Sequence, residues 1–258
     1  MADSLDSPAP DPSDPSALAG YPIDAPPAPP PVFTHQHWTD LVFVHWPVDP
    51  GSIEHLYPTG TRPDVFADGV TYVGLVPFTM REVALGIPRS IPYFGSFLET
   101  NVRLYSTDDA GRHGVLFLSL ETERLAMVPV TRVCLGVPYT WARMRMTRTG
   151  ARITYDSVRR LPDRGLRCHL TVDVGSAVVP TPLEIWLTAR WGAHTRKAGR
   201  TWWVPNEHGP FPVREAEIVD LDDELVAAAG VPPVGEPLRA LFSTGVRAQF
   251  GRPSIVAR

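Results

Sequence analysis

Phe97-Leu98-Glu99-Thr100-Asn101-Val102-Arg103-Leu104-Tyr105 alternates with a period of two. In a β-strand this puts Leu98, Thr100, Val102 and Leu104 on one face and Phe97, Glu99, Asn101, Arg103 and Tyr105 on the other. The apolar row needs a core. The opposite row sets an acid, an amide and a guanidinium between two aromatics, a composition suited to the wall of a polar pocket. Its plain alternative is a solvent face carrying a Glu–Arg pair, worth well under ~1 kcal/mol when exposed.

Working outward, Asp108-Asp109-Ala110-Gly111 is a tight reversal, and residues 115–120 form its partner strand, completing a hairpin. Upstream, residues 70–80 are rich in β-formers, with Tyr72, Gly74, Val76, Phe78 and Met80 on one face; Gly74 leaves room for a ligand or a neighbouring segment. Downstream, residues 122–127 have helical character until Pro129 interrupts them. Gly136-Val137-Pro138-Tyr139 reads as a turn, and residues 141–148 alternate as a strand. Residues 36–46 fit strand or helix by period, with Pro47 ending either. Further strands fit residues 151–158, 166–174, 187–191, 201–204 and 213–219, and short helices residues 50–56, 182–186 and 222–229. The sum is a mainly β (α+β) domain over residues 32–258: a curved antiparallel sheet or closed β-barrel with a few short helices.

Residues 1–31 are built from Pro, Ala, Asp and Ser and end in Pro26-Pro27-Ala28-Pro29-Pro30-Pro31. They are expected to be a disordered tail, polyproline II at its end. Of the formal charge of -4, the tail holds Asp3, Asp6, Asp11, Asp14 and Asp24 without a cation, which leaves the remainder at +1. That balance gives no drive toward nucleic acid or anionic membranes. The arginines of residues 143–167 divide between strand faces and read as a solvated hairpin. No segment has the ~20 apolar residues of a membrane span, and the start lacks the pattern of a secretory signal. Cys134 and Cys168 are too few for a disulfide framework and read as reduced thiols of a cytoplasmic protein. Lys197 is the single lysine. His35, His37 and His45 have no further ligand at a convincing interval, so no metal is expected; His208 stands in a Gly/Pro loop without a supporting motif. Phosphate-binding glycine loops, dinucleotide fingerprints and Gly-x-Ser-x-Gly elbows are absent.

The order of Trp38 through His45-Trp46, Pro58-Thr59-Gly60, Tyr72-Val73-Gly74-Leu75-Val76-Pro77-Phe78, Phe97 through Tyr105 and Val137-Pro138-Tyr139 resembles the YqjF-like family of uncharacterised bacterial proteins. These are similar in fold to acetoacetate decarboxylases, and the resemblance covers about residues 36–250. Acetoacetate decarboxylases carry an aromatic-x-Glu strand and, further on, a Pro-Lys motif whose lysine forms a Schiff base with a β-keto acid. Phe97-Leu98-Glu99 looks like the first element and Val137-Pro138-Tyr139 stands where the second belongs. The resemblance therefore implies Glu99 as the active-site carboxylate and Tyr139 in place of the lysine; a phenol cannot form an imine.

Three functions follow as expectations. The first is a lysine-independent enzyme handling a small keto or carboxylic acid, with Glu99 catalytic and Asn101, Arg103, Tyr105 and Tyr139 binding the substrate, and no cofactor. The second is a non-catalytic small-molecule binding protein that kept the pocket. The third is an interaction scaffold recruited through the proline-rich tail. The partner is a small molecule, not nucleic acid or membrane, and a homo-oligomer is left open.

Overall fold

The structure, a computed structural model, describes residues 14–85, 95–232 and 235–257. Thirteen strands form one sheet: β1 (Thr34–Val48), β2 (Thr61–Pro63), β3 (Thr71–Leu85), β4 (Phe97–Asp108), β5 (His113–Thr122), β6 (Tyr139–Thr149), β7 (Arg152–Leu161), β8 (Arg167–Ala177), β9 (Gly192–Lys197), β10 (Arg200–His208), β11 (Val213–Asp223), β12 (Ala240–Phe250) and β13 (Ser254–Ala257). Four short helices accompany them: α1 (Pro50–Ile53), α2 (Met127–Leu135), α3 (Pro182–Thr188) and α4 (Leu225–Ala228). No described helix is long and apolar enough to cross a membrane.

The sheet closes on itself twice. The order β5-β6-β7-β8-β11-β12-β1-β3-β4 returns to β5, which makes one ring. The pair β9 and β10 runs from β5 across to β12, which makes a second, smaller ring that shares β12, β1, β3, β4 and β5 with the first. Pairing is antiparallel except where β5 meets β6 and β9. The shared strands therefore have a barrel interior on each face, and a strict two-residue period sorts their side chains between the two. Val42, Val44, Val73, Leu75, Val102 and Leu104 fill the larger ring together with Ile153, Leu170, Val172 and Phe242. Leu41, Phe43, Val76, Phe78, Met80 and Phe97 face the smaller one. The alternation in β4 thus separates a packed interior from the wall of a cavity.

Local chemistry explains most of the remaining elements. Thr181 and Glu184 form a capping box around Pro182, the first residue of α3, and together they satisfy two helix-end donors. Residues 122–126, expected to be helical, are not: β5 runs to Thr122, and α2 begins at Met127 and continues through Pro129, where a break was expected. Proline is tolerated there because it falls in the first turn, whose N–H groups have no intrahelical acceptor. Gly136, at φ 70°, closes the helix.

Some expectations need correction. Residues 187–191 are not a strand: α3 extends to Thr188 and β9 begins at Gly192. β1 continues through Pro47 to Val48. Strands β12 and β13 were not anticipated; in β12 the alternation is broken by Gly245, at φ 122°. The space beside Gly74 is taken by His45 and Arg103, whose atoms lie 3.1 and 3.3 Å from where a Cβ would stand.

The described part of the expected tail also departs from expectation. Residues 14–31 begin with a 3₁₀ turn capped by Asp14 and then lie along the barrel. Tyr21 Oη donates to the Ala189 carbonyl at 2.7 Å, and Trp191 Nε1 donates to the Pro22 carbonyl at 2.6 Å. The Ala28 amide donates to Glu207, and the Arg252 amide to the Pro29 carbonyl. A composition argument weighs only the segment's own apolar content; here the barrel supplies the aromatic and polar partners. Residues 1–13, and the loop holding Pro88 and Pro92, lie outside the described residues.

Candidate active site

The smaller ring encloses a cavity of about 310 Å³. Its wall includes Glu99, Asn101 and Arg103 from β4, Trp38 from β1, Phe78 and Met80 from β3, and Tyr139 from the start of β6; α2 and the β9–β10 pair close the far side. Successive same-face positions of one strand, about 6.6 Å apart, thus place an acid, an amide and a guanidinium in a row along one wall.

Glu99 is 3% exposed. The Tyr139 hydroxyl donates to its Oε2 at 2.6 Å. Burial pushes the carboxyl up from its ordinary 4.5 to about 7, against hydrogen bonds from Tyr139 and Asn101 that favour the charged form. Burial, with the neighbouring carboxylate, drives the Tyr139 phenol far above its ordinary range, so Tyr139 remains a donor at any physiological pH. Glu99 and Arg103 form no ion pair, which rules out the plain Glu–Arg pairing as the account of this strand face.

Arg103 lies at the other end of the row. Its Nη2 reaches Tyr105 Oη and the Leu187 carbonyl at the long distances of 3.4 and 3.5 Å, and its Nε is buried without a partner. Tyr105 does not line the cavity: it is fully buried behind Arg103, and its hydroxyl meets His45 Nε2 at 2.6 Å. Burial, then Arg103 and Arg190, holds His45 well below its ordinary pKa, so the ring is neutral. Tyr105 is therefore a support for Arg103.

Residues outside the opening strand complete the site. Arg190 is 4% exposed and lies with Cζ 3.9 Å from the Trp186 ring centroid. Its Nη1 pairs with Asp64, its Nε donates to the Trp186 carbonyl, and its Nη2 has no partner. Burial alone would raise the Asp64 carboxyl, but Arg190 and His113 hold it below its ordinary value. Asn206, whose Oδ1 is unpartnered, and His208 also line the cavity. His208 is made neutral chiefly by burial. Arg190 carries one sequence signal, a cation set among Trp186, Ala189 and Trp191. Nothing in the sequence says that β9 and β10 bring Arg190, Asn206 and His208 to the wall facing β4.

Lys197 lies outside the lining residues, its Nζ donating to the Cys134 carbonyl at 2.7 Å. Among the described residues no group of three or more His, Cys, Asp or Glu side chains is arranged to hold a metal. Ser106 Oγ meets His194 Nδ1 at 2.8 Å and His194 Nε2 meets Asp108 at 3.0 Å. All three side chains are sealed from solvent and none lines the cavity. They tie β4 to β9 and offer no route for a substrate.

Residues 35–247 match the DUF2071 family of uncharacterized conserved proteins. The chain belongs to that family. The chain is similar to the uncharacterized protein YqjF of Bacillus subtilis (strain 168), 28% identical over 207 residues that span 79% of this chain and 84% of YqjF. Solved structures with the same fold include an acetoacetate decarboxylase-like enzyme from Sphingomonas wittichii RW1, at 13% identity and a TM-score of 0.62 over 87% of this chain and 93% of that one. They also include the enduracididine biosynthesis enzyme MppR complexed with pyruvate, at 15% identity and a TM-score of 0.60 over 90% and 92%. This DUF2071 chain is thus a YqjF-like protein with the acetoacetate decarboxylase-like fold, as its sequence motifs imply.

Proposed function

We propose that the cavity binds a keto or carboxylic acid and that Glu99 serves as a proton-transfer group there, without Schiff-base lysine chemistry. The observation that carries this reading is Glu99 itself: a carboxyl buried in the cavity wall, hydrogen-bonded by Tyr139, with a pKa of about 7. An acid poised near neutrality can both take and return a proton, which general acid–base catalysis requires. Tyr139 donates to the ionised form and steadies it once it has given up its proton. The arginines at the other end suit a carboxylate. A structural neighbour described in complex with pyruvate fits the same ligand class.

A second reading is a binding protein without turnover. It is favoured by the Tyr139–Glu99 bond, which satisfies one carboxylate oxygen from within the protein. Calorimetric titration with a panel of acids, pyruvate and acetoacetate through phenylpyruvate and octanoate, tests both. Binding by no member of the panel ends the proposal. If a bound acid is turned over, Glu99→Gln should lower the rate by about 10²- to 10⁴-fold with binding retained. Binding without turnover in the wild type selects the second reading.

A further inference from the structure

The cavity has two chemically different ends, and the distance between them constrains the ligand. Glu99 and Arg103 are four residues apart on β4, so their Cα atoms stand about 13 Å apart along the strand. At the arginine end two donors, Arg103 Nε and Arg190 Nη2, are buried and unpartnered. Both guanidinium groups lie by the same Tyr105 ring, with Cζ atoms 5.6 and 4.6 Å from its centroid. Arg190 shares its charge with Asp64. Arg103 has no carboxylate partner among the described residues, its contacts being two carbonyl or hydroxyl oxygens and the Phe43 and Tyr105 rings. A half-buried and a buried guanidinium, each lining the cavity and each with one unpartnered donor, favour an anionic ligand group.

Apart from Asn101 in the middle of the row, and Asn206 and His208 from β10, the lining between the ends is largely apolar. Trp38, Phe78, Phe97, Phe117, Leu120 and Phe211 contribute to it, and Trp38 stacks on Phe211 at 6.5 Å with 12° between the rings. A three- or four-carbon keto acid has roughly the bulk of three waters, at about 30 Å³ each. It would leave most of the 310 Å³ unfilled. Apolar space without an occupant loses contacts along its whole lining.

We infer that the cavity selects monocarboxylates with an extended aryl or alkyl body. The carboxylate is held between Arg103 and Arg190, and the body lies along the aromatic wall toward Glu99. The inference rests on the reading of the cavity as an acid-binding site and names the class of acid.

Isothermal titration of the full chain with pyruvate, acetoacetate, phenylpyruvate, octanoate and neutral octanol tests it. Phenylpyruvate and octanoate should bind at least tenfold more tightly than pyruvate and acetoacetate, and octanoate at least tenfold more tightly than octanol. Arg103→Gln should remove the preference for octanoate over octanol while octanol binding stays within about twofold, an internal control that the variant is folded. Pyruvate or acetoacetate binding as tightly as phenylpyruvate overturns the extended body and leaves acid binding standing. Octanol equal to octanoate in the wild type overturns the arginine anchor. Binding by none of the acids overturns the underlying reading itself.

Discussion

Tyr139 Oη stands 2.6 Å from Glu99 Oε2, although the two residues belong to β6 and β4, which are separated in the sheet by β5. The phenol reaches across because Tyr139 opens β6 where that strand pairs in parallel with the end of β5, opposite Leu120. The bond stabilises the ionised carboxylate. Tyr139→Phe is therefore expected to raise the Glu99 pKa above about 7 and to cost about 1 kcal/mol of stability. Carbon-13 NMR titration of the Glu99 carboxyl in wild type and variant measures the shift; a lower pKa in the variant contradicts the arrangement.

The same carboxyl makes stability depend on pH. Its folded pKa, about 7, lies above the ordinary 4.5, so folding favours the protonated form. The contribution is fully present below pH 4.5, declines as pH rises, and is lost beyond about 7, amounting to on the order of 3 kcal/mol. Glu99→Gln lacks this titration. Relative to wild type, the variant should gain stability from pH 5 to about pH 7 and level off above that in denaturant unfolding. A constant difference across that range would show that Glu99 does not titrate there.

How much of this was legible in the sequence depends on how local the signal is. The β4 row is set by a two-residue period, and the hairpin after it by Asp108 to Gly111; both are short-range and both are found in the fold. The Tyr139–Glu99 meeting came through the family's motif order, not through the residues alone. Arg190 and Asn206 reach the cavity only because β9 and β10 bridge β5 to β12, a long-range pairing with no local mark. For the same reason one barrel was expected where the strands close two rings. The segment 14–31 was misread because its partners, Trp191, Ala189 and Glu207, are more than 160 residues away.

Gly245 sits opposite Thr39 at φ 122°, and a Cβ there would fall 1.9 Å from the Trp38 carbonyl oxygen. Gly245→Ala must move the β1 backbone that carries Trp38, whose ring lines the cavity. The expected cost is about 2–4 kcal/mol, together with weaker ligand binding. Thermal unfolding and titration with phenylpyruvate report the two effects. A variant with wild-type stability and affinity would mean that this strand crossing tolerates a side chain.

Lys197 provides a test of the imine route. Its ammonium donates to the Cys134 carbonyl, away from the lining residues. Incubation with pyruvate or phenylpyruvate and cyanoborohydride, followed by peptide mapping, should leave the Lys197 peptide at its unmodified mass. Lys197→Ala should bind these acids within about twofold of wild type. Stoichiometric, ligand-dependent trapping at Lys197 would restore Schiff-base chemistry.

Deletion of residues 1–31 reports on the docked N-terminal segment. Trp191 is 4% exposed and spends its indole N–H on the Pro22 carbonyl, while its ring lies 4.9 Å from that of His208, a cavity residue. Tyr21 covers the same region, its ring 4.7 Å from His113, which in turn holds Asp64 beside Arg190. Removing the segment leaves the Trp191 donor to water and opens the Asp64–Arg190 pair to solvent, which weakens that pair by raising the local dielectric. The truncated chain should show red-shifted tryptophan emission and a stability loss of about 1–3 kcal/mol. It should also bind phenylpyruvate less tightly, because a better-solvated Arg190 attracts a carboxylate less strongly. Tyr21→Phe, which deletes only the hydrogen bond to Ala189, should reproduce a small part of the stability loss and leave the emission unchanged. Unaltered emission and stability in the deletion would show that the segment contributes nothing to the site it covers.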